Sequence, residues 1–348
     1  MSYIRDNIAR MKGYQPGFQP SEPGFVKLNT NENPYPPSPR AVEAMREACG
    51  GNIRKYPDPL GQPFRDTAAQ VLGINPDSTI CGFGSDDILT IAVRTFCDQG
   101  GTIAFPYPTY SLYEVLAQIQ GARAVKTEFP EDYSLPADLA DLGADLTFLT
   151  NPNAPSGTLI PPEEVHQLAC SVDGVLLIDE AYGDFADRNC LDLVKQCRNV
   201  VVSRTVSKSY SLAGLRFGYA IADPELISGM MKVKDSYNVS APAVAGAKAA
   251  IEDQEHLREN TGKIKATRKR LQEELEQLGF TCWPSQTNFV LARAPESHDA
   301  RRIFEDLFSR KILVRYFDQP RLDDCLRITV GTEQEIDKLL HELADIVE

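Results

Sequence analysis

Six short runs rich in aliphatic and β-branched residues recur through the first two thirds of the chain. They are TIAF (102–105), RAVKTEF (123–129), DLTFLT (145–150), GVLLID (174–179), NVVVSR (199–204) and FGYAIA (217–222). Several lack the polar–apolar alternation of a half-exposed strand, so they are expected to be covered on both faces. Helical segments are expected near 39–49, 62–73 and 86–98, the last opening at Gly84-Ser85-Asp86. Strands that alternate with helices in this way predict an α/β fold with a mostly parallel sheet and right-handed crossovers.

After about residue 240 the character changes. The segment 255–279 places Leu257, Ile264, Leu271, Leu275 and Leu278 on a helical period and stops at Gly279. Strands are expected at 287–293, 312–316 and 325–330, with amphipathic helices at 299–310 and 333–347. This reads as a smaller α+β domain. Residues 14–39 are rich in Pro, Gly and Asn and predict an extended arm. The expected division is an arm and part of the small domain over 1–34, a large domain over 35–245, and the small domain over 246–348.

Totals narrow the function. A formal net charge of −13 disfavours a nucleic-acid or anionic-membrane surface. No apolar run approaches the roughly 20 residues needed to span a bilayer, and the first residues carry no apolar signal core. A cytoplasmic location is expected. The eight cysteines show no C-x-x-C pair and no zinc-type spacing, and the four histidines are scattered. The cysteines therefore read as free thiols of a reducing compartment, and no metal ligands are expected.

Three strand candidates end in polar residues, and in open α/β sheets ligands bind just beyond such ends. LTFLT leads into Asn151-Pro-Asn153-Ala-Pro-Ser-Gly157, VLLI into Asp179-Glu-Ala-Tyr182, and VVVSR into Thr205-Val-Ser207-Lys208. An aspartate after a strand ordinarily caps a helix or forms a turn. Its functional reading needs a buried cation, because a lone carboxylate is costly to desolvate. A protonated pyridine nitrogen is such a cation, and Lys208 is an amine able to form a Schiff base with the aldehyde of the same cofactor, pyridoxal phosphate. Arg204 and Arg216 are the expected cationic neighbours that make this amine reactive. GFGSDDILTIAVRTF (82–96) offers a helix N-terminus to a phosphate, and Thr205, Ser207 and Arg216 add hydroxyls and a guanidinium fork.

The segments LNTNENPYPPSP, YPDPLGQ, GFGSDD, PTYSLY, LTNPNAPSGT, LLIDEAY, TVSKSYSLAGLRFGY, TNFVL and LRITVGT stand in this order. In that order the chain, from about residue 12 to 345, resembles the histidinol-phosphate aminotransferases, fold type I enzymes that depend on pyridoxal phosphate. The resemblance implies that Lys208 carries the cofactor and moves a proton, and that Asp179 keeps its ring nitrogen protonated. It implies that Tyr182 and Asn153 bond its phenolic oxygen and that Tyr110 stacks on the ring. Ser85, Asp86, Thr205, Ser207 and Arg216 would hold the phosphate, and Tyr56 would reach the phosphate of a neighbouring subunit, so a homodimer with shared sites is implied. Tyr14, Asn153, Tyr237, Arg315 and Arg327 would line the substrate site, the arginines taking the carboxylate of glutamate or the phosphate of histidinol phosphate. Gly13 stands where the family often has proline, and Asp87 where glutamate is common.

The implied reaction is a double displacement in histidine biosynthesis, with glutamate as amine donor. An aromatic amino-acid aminotransferase and a threonine-phosphate decarboxylase are the related alternatives. A cofactor-binding regulator is disfavoured, since neither end of the chain shows a basic DNA-binding module.

Overall fold

The computed structural model describes residues 3–14 and 16–347. In chain order its first part contains α1 (Asp6–Arg10), β1 (Val26–Lys27), α2 (Pro39–Ala48), α3 (Gln62–Leu72), β2 (Thr79–Gly82), α4 (Ser85–Phe96), β3 (Thr102–Tyr107), α5 (Leu112–Gln120), β4 (Arg123–Glu128), β5 (Leu146–Thr150), α6 (Pro162–Ser171), β6 (Val175–Asp179), β7 (Val200–Thr205), β8 (Gly218–Ala222) and α7 (Pro224–Val233). The second part contains α8 (Ala241–Glu252), α9 (Gln254–Gln277), β9 (Thr281–Cys282), β10 (Phe289–Arg293), α10 (Ala300–Ser309), β11 (Ile312–Leu313), β12 (Arg315–Tyr316), β13 (Cys325–Thr329) and α11 (Glu333–Val347).

Seven strands form the large sheet in the order β2-β8-β7-β6-β5-β3-β4. All run parallel except β8, which is antiparallel to both β2 and β7. Successive residues of the central strands feed opposite cores. Leu177 and Val201 pack toward α4, α5 and α7, while Leu176, Ile178, Val200 and Val202 pack toward α6. Burial on both faces leaves no polar face to alternate with, which is why these strands read as continuous apolar runs. All six expected strands form. The seventh, β2, was missed: its four residues, Thr-Ile-Cys-Gly, carry too little apolar pattern to announce a strand.

The smaller sheet is β12-β13-β10-β9, antiparallel throughout. Its core draws Ile264 and Leu271 from α9, Ile303 from α10 and Leu339 from α11. The single strand expected over 312–316 is divided. Ile312 and Leu313 pair in parallel with Val26 and Lys27 of the arm, while Arg315 and Tyr316 pair with β13. The arm then reaches back to the large sheet, where the Asn33 side chain donates to the carbonyls of Lys208 and Ser209. No described helix is long and apolar enough to cross a membrane.

Candidate active site

The site is assembled at the carboxyl ends of adjacent strands. Thr150 on β5, Asp179 on β6 and Ser203 on β7 lie side by side in register. Asp179 is 3% exposed. Its Oδ2 accepts from the Tyr113 hydroxyl at 3.0 Å and its Oδ1 from the Ala181 N–H at 3.1 Å. Among the described residues no lysine or arginine pairs with it. Burial pushes this carboxyl up to about 6, although the bonds from Tyr113 and Ala181 pull the other way. A buried carboxylate that lacks a cation either takes up a proton or gains by pairing with a cation supplied from outside the protein.

Lys208 follows β7 by three residues. Its Nζ donates to the Thr30 carbonyl at 3.2 Å and stands 5.8 Å from the centre of the Tyr182 ring. The Tyr182 hydroxyl accepts from Asn31 Nδ2 at 2.9 Å. Tyr110 packs edge-on to Tyr113 and to Tyr14 of the arm, at 5.7 and 5.9 Å between ring centres, and its hydroxyl donates to Asp86 Oδ1 at 3.1 Å. Asn153 is buried with its amide engaged. Its Oδ1 accepts from Thr109 at 2.9 Å, and its Nδ2 donates to Ser156 Oγ at 2.9 Å and to the Pro108 carbonyl at 3.3 Å.

α4 begins at Ser85 with no side-chain cap, after Gly84 at φ +82°. A Cβ on Gly84 would lie 2.6 Å from Arg216 NH2, and one on Gly218 would lie 2.5 Å from the Ser85 nitrogen. These two glycines let the helix start, β8 and the Arg216 guanidinium converge. Arg216 itself adopts φ +54° and lies 3.6 Å from Asp86. Thr205 and Ser207, both buried, bond to each other through their hydroxyls at 2.9 Å. Unoccupied helix N–H groups, a guanidinium and two hydroxyls form a donor set suited to a phosphate.

The expectation that Arg204 activates Lys208 is corrected. Arg204 is buried and grips Glu180 through Nε at 3.0 Å and NH2 at 2.6 Å, with Asp184 at 3.6 Å. Its charge is neutralised inside the protein. Asp184 in turn accepts from Ser209 at 2.5 Å, so Arg204 braces the lysine loop rather than tuning the amine.

Arg315 and Arg327 face each other directly across β12 and β13. Like charges placed opposite in a sheet repel, yet neither forms an ion pair among the described residues. Arg327 lies over Phe289 and Phe317, its NH2 donates to the Asn29 carbonyl at 3.0 Å, and its Nε is buried without a partner. Burial pulls its guanidinium below the ordinary value, and Arg315 adds to the effect. Two facing guanidiniums without an ion-pair partner among the described residues are chemically able to seat an anion.

Tyr56 and Tyr237 pair with each other. Their rings stack at 4.5 Å on the surface, with Tyr56 80% exposed. Next to Tyr237, Asn238 donates to Asp87, and Asn238, Asp87, Phe83, Asp86 and Arg216 line an open cleft of about 460 Å³ beside the start of α4. Tyr113, Thr150 and Asn31 were not singled out from the sequence. Each acts through a bond to Asp179 or Tyr182, directly or through one hydroxyl, and such bonds leave no local pattern.

The profile of the aminotransferase class I and II family matches residues 23–343, and that is the class to which the fold and site conform. A histidinol-phosphate aminotransferase of Syntrophotalea carbinolica is 47% identical over 99% of this chain and 100% of its own, and one of Trichormus variabilis is 45% identical over 99% of both. The crystal structure of histidinol-phosphate aminotransferase from Sinorhizobium meliloti in complex with pyridoxal-5'-phosphate superposes with a TM-score of 0.90 at 29% identity, covering 100% of this chain and 98% of that one. The chain belongs to the histidinol-phosphate aminotransferase family.

Proposed function

We propose that the protein moves an amino group between glutamate and the 2-oxo phosphate that becomes L-histidinol phosphate, in histidine biosynthesis, using pyridoxal phosphate. The observation that carries the cofactor is Asp179, a buried carboxylate that no lysine or arginine among the described residues neutralises. Bound there, the cofactor supplies an aldehyde for amines and a ring that withdraws electrons from the substrate's Cα.

Asp179 would hold the proton on the ring nitrogen, and Tyr113 would fix the carboxylate that does so. Lys208 would hold the cofactor in the resting enzyme and, once released by the substrate amine, carry the proton at Nζ. Tyr182 and Asn153 would orient the ring through its phenolic oxygen. The Asn153 amide would then have to exchange one of its present bonds. Tyr110 would cover the ring face. The N–H groups at Ser85 and Asp86, with Thr205, Ser207 and Arg216, would anchor the phosphate. Arg315 and Arg327 would take the anionic end of each substrate in turn, with Tyr14 and Tyr237 at its border.

The reading extends to assembly and place. A large unit over 35–245 would bind the cofactor, while the arm (1–34) and the unit over 246–348 would close on the substrate. A homodimer is supported by the exposed Tyr56–Tyr237 stack, from which Tyr56 would reach the neighbouring subunit's phosphate site. A cytoplasmic location is supported by eight cysteines, all free.

Glutamate alone, added to the holoenzyme, is expected to shift the cofactor absorbance within a single turnover and release one equivalent of 2-oxoglutarate. An unchanged spectrum would refute the mechanism. Histidinol phosphate is then expected to outperform phenylalanine, tyrosine and threonine phosphate as substrate. Preference for phenylalanine would make the protein an aromatic aminotransferase, and carbon dioxide release without an oxo-acid acceptor would make it a decarboxylase.

A further inference from the structure

The amino edge of the large sheet holds a cluster that takes no part in the chemistry at the opposite edge. The last turns of α6 carry His166 and Cys170, four residues apart and therefore on one face. Facing them is Cys197, which follows the short 3-10 turn Leu191–Lys195 and precedes β7. One ligand atom from each of the three side chains lies within 4.8 Å of the other two. Cys197 is buried, His166 is half-buried and Cys170 is exposed. No hydrogen bond holds the His166 ring among the described residues.

The backbone around the cluster is already fixed. Asn199 Nδ2 donates to the Ala169 carbonyl at 2.9 Å and to the Gly174 carbonyl at 3.2 Å, tying the Cys197 loop to the end of α6. The Cys197 N–H donates to the Leu193 carbonyl at 2.8 Å. The three donors therefore meet on anchored segments rather than on loose ones.

We propose that His166, Cys170 and Cys197 bind a thiophilic divalent cation, with zinc the ion best suited to the set. Zinc accepts imidazole nitrogen at ~2.0 Å and thiolate sulfur at ~2.3 Å in a tetrahedron, so its ligand atoms stand roughly 3.5–3.8 Å apart. The observed cluster, with its ligand atoms within 4.8 Å of one another, reaches that spacing by closing roughly 1.3 Å at most. Two thiols release two protons to solvent as the ion enters, and the two thiolates balance its charge. Imidazole with thiolates disfavours magnesium and calcium, which take oxygen ligands. The fourth position opens to solvent beside Cys170. β7 separates the cluster from the Lys208 loop by its full length, roughly 17 Å, so the ion would stabilise the sheet edge without touching the reacting atoms. The order His-x₃-Cys, with the second cysteine 27 residues later, matches no recurring zinc-ligand spacing, so the sequence conceals the site.

The test uses purified holoenzyme kept reduced with a phosphine, dialysed against zinc and separately against cobalt(II). Wild-type protein is expected to bind one zinc that His166→Gln and Cys170→Ser each lose or hold roughly tenfold or more weakly. Cobalt is expected to give the visible d–d bands of a tetrahedral site, at longer wavelength than the cofactor absorbs. Turnover of both variants should stay at the wild-type level, because neither side chain approaches the reaction. Both residues are at least partly exposed, so both variants should fold. Cys197→Ser, the buried ligand, should abolish the bands as well. Zinc affinity unchanged in His166→Gln and Cys170→Ser would overturn the assignment. So would absence of zinc from the wild-type protein, or a Cys170–Cys197 disulfide that persists under the reductant.

Discussion

The Tyr113 hydroxyl bridges Asp179 Oδ2 at 3.0 Å and Thr150 Oγ1 at 2.6 Å, and its ring stacks on Phe148 at 4.4 Å. It is fully buried and donates to the one carboxylate that the cofactor ring would meet. Hydrogen bonds to charged groups contribute about 1.5–3 kcal/mol. Tyr113→Phe keeps the stack and removes the bond, so turnover or cofactor affinity should fall roughly 10- to 100-fold. Measuring kcat and the cofactor dissociation constant checks this. Values within twofold of wild type would show that the bond has no catalytic consequence.

Asp179 makes a second prediction in the cofactor-free protein. Burial pushes its carboxyl up to about 6, from an ordinary value of 3.8. The native state therefore binds the proton more tightly, and stability is lost as pH rises from about 4 through 6. Asp179→Asn removes that loss. The variant should exceed the wild-type apoprotein in stability by up to about 3 kcal/mol at pH 7, with the difference vanishing near pH 4. Denaturant melts at the two pH values test this. In the holoenzyme the same substitution should instead weaken activity severely.

Arg327 should separate binding from cofactor chemistry. Replacing it with Met keeps apolar contact with Phe289 and Phe317 but removes one of the two facing guanidiniums. KM for both glutamate and histidinol phosphate should rise at least roughly tenfold, since a lost charge-assisted bond costs about 1.5–3 kcal/mol. The cofactor spectrum should be unchanged. A KM shift confined to one substrate would show that the two anions use different seats.

The Arg204–Glu180 pair is expected to matter to stability. Removing one partner of a buried pair typically costs about 3–5 kcal/mol because the other charge is stranded. Glu180→Gln should lower the unfolding midpoint markedly while leaving the pH profile of kcat in place. A displaced profile would restore Arg204 as an electrostatic partner of Lys208.

The sheet was readable because strands buried on both faces must be apolar throughout, and the polar residues beyond their ends stood out against them. Lys208, Asp179 and Tyr182 were singled out for that reason, each lying within a few residues of a strand end. The role of Arg204 was not. Sequence shows it four residues before Lys208, but the extended strand sends it to Glu180, just past the end of β6. Arg315 and Arg327 were visible as arginines on strands, whereas their confrontation depends on the register of β12 and β13. Tyr113 and Asn31 escaped notice because a buried tyrosine or asparagine reads as packing until its partner is known.

The central claim is that the amine of Lys208 holds the cofactor. Reducing the holoenzyme with borohydride and mapping its peptides by mass spectrometry tests this most directly. One cofactor adduct per chain is expected, on the peptide containing Lys208, and none in Lys208→Ala. An adduct on another lysine, or an undiminished adduct and turnover in Lys208→Ala, would contradict it.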